Sequence, residues 1–592
     1  MPWKQVFDPF HHIGWSALVA AVPVFFIFWA LLVQKMRGWV ASLWIVVLVL
    51  AIAIFVYGMP LSLSLLSAAD GALYGVFTIC WIIVGAIFLY NITVAGGQFL
   101  IIRQFMARIT DDRRLQALLI AFSFGAFLEG AAGFGSPVAI TAAMLAGLGF
   151  NPLYAAGICL IANTAPVAFG SIGIPVTVAA QVSGLPEMAL SQMIGRTLPF
   201  ISLILPFYLV CLMCGWRKTM EVMPAILVSG ISFALTQFIT ANYLSPMLPD
   251  VISGLVSIIS LMVLLRYWKP RQSWRFPEET PVSASEEEQH SNAAIARAWL
   301  PYLIMTVMVV GWGLQPVKDY LNSIGQVKFY VPGLAHSIVR PDGSELLIKP
   351  FTFNYLSNAG SAILLAGLLS IPLTGISLRK AVIAVKLTLH QLKAPVITIA
   401  AVVAFAFVAN NSGISSTMAL ALAATGAWFP FFSPVLGWLG VFLTGSDTSS
   451  NALFGKLQLT TAQHIGVDPL ITVAANASGG VTAKMISPQS IAVGVAAVGL
   501  TGQESRLFAF TVRHSFILLL ITCVFAVLQA YVFKWMVPQY TIPALALPAS
   551  TVSLTTGKQY LLIVIMAVAV IALVVGVLHA VRKRGGRFTA GN

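Results

Sequence analysis

The sequence predicts an all-α fold that crosses a membrane many times, in about 12–14 spans. The spans are expected to form two internal repeats that contain broken helices or re-entrant hairpins. Three observations predict this. Of 592 residues, 59% are hydrophobic and 9% charged, with a mean hydropathy of +0.91, too little polar surface to cover a water-soluble globule. Apolar runs long enough to cross a bilayer, about 20 residues each, recur along the chain. Interruptions rich in Gly, Pro, Ser and Asn fall inside four of those runs, in two related pairs. The formal charge of +14 would suggest nucleic acid in a soluble domain. Here most Lys and Arg sit in short clusters between apolar stretches, so they read as topology signals and no nucleic-acid partner is expected.

In chain order, the opening MPWKQVFDPFHH has no cleavable signal pattern, so the first apolar run is expected to stay attached. Runs follow at 14–33, 39–58, 73–95, 115–136, 153–180, 197–214, 221–241 and 250–267, then at 299–317, 355–374, 395–410, 433–454, 469–498, 514–535 and 560–581. Positive clusters at Lys35/Arg37, Arg103/Arg108/Arg113/Arg114, Arg217/Lys218, Lys269/Arg271/Arg275, Arg379/Lys380 and Arg582/Lys583/Arg584 mark cytoplasmic loops. They put the N-terminus outside and the C-terminus inside. The acidic, aperiodic stretch within 268–298 reads as a flexible cytoplasmic linker between two membrane halves, 1–267 and 299–537. Residues 319–352 are too polar to span and read as an external loop, and 538–592 as an external segment with a last span. Trp3, Trp15, Trp39 and Tyr560 fit an interfacial belt. All five cysteines fall in expected spans with no metal-ligand spacing, so they are read as apolar filler, and neither metal nor cofactor is expected.

The halves echo each other. GAFLEG at Gly125–Gly130 resembles GVFLTG at Gly440–Gly445, and the NPL starting at Asn151 resembles the DPL starting at Asp468. Asn163 and Pro175 bracket a stretch with the spacing of Asn476 and Pro488. An unpaired backbone amide or carbonyl in hydrocarbon costs several kcal/mol, so such stretches persist at membrane depth only where protein or an aqueous cavity satisfies them. The first repeat motif is placed at 115–185 and the second at 433–498, with a solute site where they meet.

Ionisable residues inside these stretches sharpen that expectation, because a charge at membrane depth is costly and commonly lines a solute path. Glu129 sits in FLEGAAGFG with apolar neighbours on both sides, a setting that suits a carboxyl taking up and releasing a proton. Asp447, in TGSDTSSN, can carry a proton or accept hydrogen bonds, and Lys484, in TAKMISP, is the fixed positive charge. The structural alternative is a buried ion pair of Lys484 with Asp447 or Glu129 that never meets solute. His514 is read as a helix cap. No Walker loop, HExxH or dinucleotide fingerprint is present, which leaves an ion gradient as the source of energy and argues against an enzyme.

The stretches Phe124–Thr141, Leu153–Pro175, Gly437–Phe454 and Gly479–Ala492 closely resemble the bacterial lactate permease family, and the likeness runs from FDPF at Phe7–Phe10 to about residue 537. The resemblance implies a lactate/glycolate:proton symporter of the inner membrane that takes up L-lactate, D-lactate and glycolate. By fold-level analogy it also implies an elevator, a transport domain sliding on a scaffold. For a lactate anion, Lys484 with Asn163, Thr164, Ser449, Asn451 and Asn476 would hold the carboxylate and hydroxyl, while Glu129, or secondarily Asp447, would carry the proton. Ser136 departs from the family motif, where a smaller apolar residue is expected, and 538–592 lies beyond it. A sodium-coupled carboxylate transporter is the nearest alternative, since Ser, Thr, Asn and Asp oxygens also suit a hard cation.

Overall fold

The computed structural model describes residues 2–30, 34, 36–131, 133, 135–276, 290–341, 343–346, 348, 350–500 and 503–541. The expected last span at 560–581, Tyr560 and most of the acidic linker lie outside these residues, as does the Ser136 side chain.

The helices run, in chain order, α1 (Ile13–Ala20), α2 (Val22–Phe28), α3 (Gly38–Phe55), α4 (Leu61–Gly96), α5 (Gln98–Ala107) and α6 (Arg113–Ala131). Then come α7 (Ser136–Gly147), α8 (Pro152–Ala162), α9 (Gly170–Ser183), α10 (Glu187–Met220), α11 (Met223–Tyr243) and α12 (Pro249–Tyr267). The second half holds α13 (Asn292–Gly313), α14 (Gln315–Ile324), α15 (Ala359–Thr374), α16 (Leu378–Ser412), α17 (Ile414–Ala423) and α18 (Phe429–Thr444). It ends with α19 (Asp447–Ile465), α20 (Pro469–Ala483), α21 (Pro488–Ala497) and α22 (Glu504–Tyr531). Four short strands add β1 (Trp3–Lys4) paired with β3 (Ile338–Val339), and β2 (Val327–Phe329) paired with β4 (Phe351–Phe353).

Among the described residues nine helices are long and apolar enough to cross a membrane, or eleven if each of two bent pairs counts as one span. The sequence count of about 12–14 is higher because it treats α15 as a full span, and includes the run at 14–33, where the short α1 and α2 lie, and the run at 560–581. Two boundaries also move. α4 starts at Leu61 rather than 73, and α13 starts at Asn292, inside the stretch expected to be linker.

The lipid-facing pattern is plain in α11. Leu227, Ile231, Leu235 and Ile239 are exposed at four-residue intervals, while Ser229, Gly230, Phe233 and Gln237 are buried. A helix in lipid can turn its bulky apolar side outward and its small or polar side inward, because the tails gain nothing from excluding Leu.

The four interrupted stretches each contain a break. α6 ends at Ala131, and Gly133 and Gly135 take positive φ before α7. α8 and the chain after it bend by 66° across 163–166. Gly445, at φ 67, separates α18 from α19, and Lys484–Ile486 forms a short 3-10 turn between α20 and α21. The NPL and DPL echoes both start helices: Asn151 caps Leu153 N and Tyr154 N, and Asp468 caps Leu470 N, each followed by proline at the first helical position.

Candidate functional site

The breaks converge on a cavity of about 310 Å³, at the lower end of the usual range for ligand sites. One wall consists of break residues: Glu129, Gly170, Ser171, Thr444–Ser449, Lys484, Gln489 and Ser490. The opposite wall is Gly38, Trp39 and Ser42 of α3, with Ala394, Pro395, Thr398, Ile399 and Val402 of α16. Those α16 residues recur at three- and four-residue spacing, so a single helix face lines the hollow.

The three ionisable residues singled out in the sequence all reach this cavity. Glu129, near the end of α6, is 3% exposed, and a methyl group on Gly170 would sit 2.7 Å from its Oε1. The missing side chain at Gly170 therefore makes room for the carboxylate. Asp447 opens α19 and packs against Gly480 in the same way. Its Oδ2 accepts from Asn451 Nδ2 at 3.3 Å, while Oδ1 has no partner. Lys484 Nζ donates to Gly445 O at 2.9 Å, which ties the fourth break to the third. It acts electrostatically on both Glu129 and Asp447, yet among the described residues it forms no ion pair with either. An ammonium carries three donors, so two of Lys484's remain available to a ligand.

Backbone geometry adds to the polarity. Ser171 (φ 47, ψ 49), Ile172 (φ 60, ψ 44) and Gly173 (φ 71, ψ 15) form a left-handed turn at the head of α9. Left-handed backbone costs a non-glycine residue about 1–3 kcal/mol, most for a β-branched one such as Ile. Buried Ile172, and Gly173 pressed on the Pro246 carbonyl, hold the turn in place. The N-terminal ends of α19 and α21, capped by Ser446 and Ser487, border the cavity through Ser446, Gln489 and Ser490. Helix N-termini present free amides and partial positive charge, which favours an anion.

The neutral candidates divide. Ser449 lines the cavity. Asn451 and Asn476 do not; they lie behind the wall in a continuous chain of hydrogen bonds. Gln458 Nε2 donates to Asn476 Oδ1 at 3.0 Å, Asn476 Nδ2 to Asn451 Oδ1 at 2.9 Å, and Asn451 Nδ2 to Asp447 and to Pro175 O at 3.1 Å. Both lie within unbroken helix, α19 and α20, so the small residues near them did not mark the break itself. Asn163 and Thr164 sit in the α8–α9 break, buried and outside the cavity wall, and among the described residues their side chains form no well-formed hydrogen bond, although the Asn163 amide faces Glu129. Their expected contact with a ligand is therefore not made from this geometry.

Trp39, in the first turn of α3, also lines the cavity. One sequence expectation is corrected here. His514 is no cap: α22 begins at Glu504, and His514 lies buried in mid-helix with Nδ1 paired to Tyr208 Oη and Nε2 accepting from Arg513 Nε at 3.1 Å. Sequence reading missed Asp250, a fully buried acid at the head of α12 that feels the charge of Glu129. Its signal was an acid at the very edge of an apolar run, which reads equally well as a loop residue. It also missed the α16 face, whose one visible mark was Pro395 inside a long helix.

Comparison with known sequences follows from this geometry. The family model described as "L-lactate permease" matches residues 16–533. A Bacillus subtilis (strain 168) protein named L-lactate permease is 53% identical over 564 residues, covering 91% of this chain and all of that one. An Escherichia coli (strain K12) protein named glycolate permease GlcA is 50% identical over 561 residues, covering 90% of this chain and 99% of that one. Among solved structures, the Alcanivorax borkumensis YdaH transporter has a TM-score of 0.44 at 16% identity, over 79% of this chain and 89% of that chain.

Proposed function

The chain belongs to the L-lactate permease family, and we propose that it takes up L-lactate and related short 2-hydroxymonocarboxylates, including D-lactate and glycolate, by proton symport. One observation carries the coupling: among the described residues the cavity holds a single ammonium, Lys484, against two carboxyls, Glu129 and Asp447. With both carboxyls ionised the hollow is already negative, and a carboxylate substrate would add to that charge in a poorly solvating site. Uptake of one proton by Glu129, or secondarily Asp447, removes that excess negative charge, so the substrate carboxylate meets Lys484 with one ionised neighbour instead of two. It also cancels a charge that would otherwise move against an inside-negative potential at about 2.3 kcal/mol per 100 mV.

In this reading Lys484, Ser449 and the amides heading α19 and α21 hold the carboxylate and the 2-hydroxyl. Asn451 and Asn476 hold Asp447 in position from behind. The cavity lies between the broken-helix group and a wall of α3 and α16, an arrangement that suits an elevator in which the first slides on the second.

We further infer that the halves are inverted copies in a cytoplasmic membrane, with the N-terminus outside. α9 packs on α19 as α7 packs on α21, and α8 on α22 as α10 on α20, the reciprocal contacts of a two-fold relation. Arg114, at the start of α6, donates to Lys218 O near the end of α10, on the face that carries basic residues. Tyr531, ending α22, donates to Ala427 O just before α18, so the second copy starts where its long helix ends as the first does. Arg196 of α10 reaches Met536 O beyond α22, which puts those two long helices head to tail. The pairing of β1 with β3 sets the N-terminus on the same face as the 319–352 loop.

The test is lactate uptake into proteoliposomes containing the purified protein. An inward proton gradient of one pH unit is expected to support about tenfold accumulation if one proton moves with each anion. Replacing sodium by choline is expected to change nothing; accumulation that follows sodium and ignores pH would overturn the proposal.

A further inference from the structure

Behind the cavity wall lies a second group of buried polar atoms without hydrogen-bond partners. Asp250 is fully buried at the head of α12, and among the described residues neither of its carboxyl oxygens has a well-formed hydrogen bond, only the Gln237 amide approaching. Glu129 Oε2, both amide atoms of Asn163 and Thr164 Oγ1 are likewise unpartnered. Packing draws these residues together. Gly130 lies directly on Asp250, since a methyl group there would come within 2.8 Å of Asp250 Cβ, so Asp250 stands beside Glu129, and the Asn163 amide faces Glu129 from the α8–α9 break. Gln237 of α11 closes the ring: it neighbours Asp250 and donates to Ala165 O in that same break at 3.2 Å.

The charged group that acts on Asp250 is Glu129 from α6, and the neutral Gln237 approaches from α11. Lys484 acts on Glu129 across the cavity. Asp250, Asn163, Thr164 and Gln237 stay outside the cavity wall, whereas Glu129 belongs to it. Two adjacent carboxyls with no cation in contact cannot both be ionised in such a place, so the pair retains at least one proton. A protonated carboxyl needs an acceptor for its O–H, and Asn163 Oδ1 and Thr164 Oγ1 are both unoccupied.

We propose that Asp250 is a proton station behind the substrate site, passing its proton to Glu129 when the anion binds and being refilled from the side of the turn that joins α11 to α12. This inference rests on the proton-symport reading. Each transfer breaks one carboxyl O–H bond on Asp250 and forms one on Glu129. Glu129 gives up its proton on the inner side as the anion leaves, and the carboxylate left on Asp250 takes the next proton, so one proton enters per anion. Asp250 touches no substrate and acts through Glu129.

The test compares two modes in proteoliposomes bearing D250N. Lactate–lactate exchange needs no net proton movement, whereas accumulation driven by a pH gradient does. With a one-unit gradient, the accumulation ratio is expected to fall from about tenfold to about one, while exchange persists. Wild-type accumulation in D250N would overturn the proposal. So would loss of both modes in a variant that still binds lactate, because Asp250 would then serve binding or motion instead of proton delivery. Should D250N fail to fold, D250E carries the test: slowed accumulation at wild-type exchange rates supports the station, and unchanged accumulation overturns it. Wild-type protein that ignores pH altogether would instead sink the symport reading itself, a separate outcome.

Discussion

Lys484 is held in place by one hydrogen bond to a backbone carbonyl and spends no charge on a contact ion pair. That leaves it free to meet an anion. Charge-assisted hydrogen bonds are worth about 1.5–3 kcal/mol, so Lys484→Met is expected to weaken lactate affinity about 10- to 100-fold, read as the half-saturation concentration of exchange. Unchanged affinity would remove Lys484 from the site. Glu129→Gln is expected to abolish accumulation driven by a pH gradient while exchange continues. If Glu129→Gln accumulates normally and Asp447→Asn does not, the proton role passes to Asp447. The two carboxyls differ in their surroundings: Asp447 shares a hydrogen bond with Asn451, whereas among the described residues Glu129 Oε2 has no well-formed hydrogen bond, only the Asn163 amide facing the carboxyl.

At the scale of elements, the broken helices need anchors, and the start of α6 supplies one. Arg114 is completely buried, gripping Asp112 through Nε at 3.0 Å and Nη2 at 2.7 Å, and also bonding Lys218 O, Gln272 O and Glu221. It thereby ties the head of α6 to the end of α10 and to the chain after α12. Removing one partner of a buried pair leaves the other uncompensated at a cost of about 3–5 kcal/mol. Arg114→Ala is accordingly expected to lower thermal stability in detergent strongly, with Arg114→Lys recovering part, because an ammonium cannot reproduce the planar fork. The neighbouring Glu221 carboxyl is held below its usual range by Lys218 and Arg114. A depressed carboxyl contributes stability above its unfolded value that is lost as pH falls through the folded one, so this anchor loosens on acidification. The effect is small because Glu221 is largely exposed, and a melting temperature that rose on acidification in wild type but not in Glu221→Gln would contradict it.

For the whole molecule, the elevator reading makes the cavity an interface between two bodies, and transport by sliding requires that interface to move. Gly38 of α3 meets Gln489 of α21 across it, with a methyl group on Gly38 falling 3.4 Å from the Gln489 amide nitrogen. Cysteines at these two positions, in a background cleared of the five native ones, are expected to cross-link. Uptake should then stop and return on reduction. Full activity in the cross-linked protein would mean that the α3 and α16 wall travels with the broken helices, and the elevator reading would fail.

The sequence alone determined the fold class, the four interruptions and the three ionisable residues at the cavity. Hydrocarbon is so unforgiving of charge and unpaired backbone that an ionisable residue inside a broken apolar run announces itself, whereas Asp250, at the edge of its run, does not. Tertiary structure decided which polar side chains face the hollow. Asn451 and Asn476 look as suitable as Ser449 in sequence, yet the rotation of α19 and α20 turns them into a hydrogen-bond chain behind the wall. Trp39 and the face of α16 enter the site, and Asp250 comes beside Glu129, through contacts between segments far apart in the chain. Periodicity sets which residues share a helix face, but close packing against other helices sets where that face points.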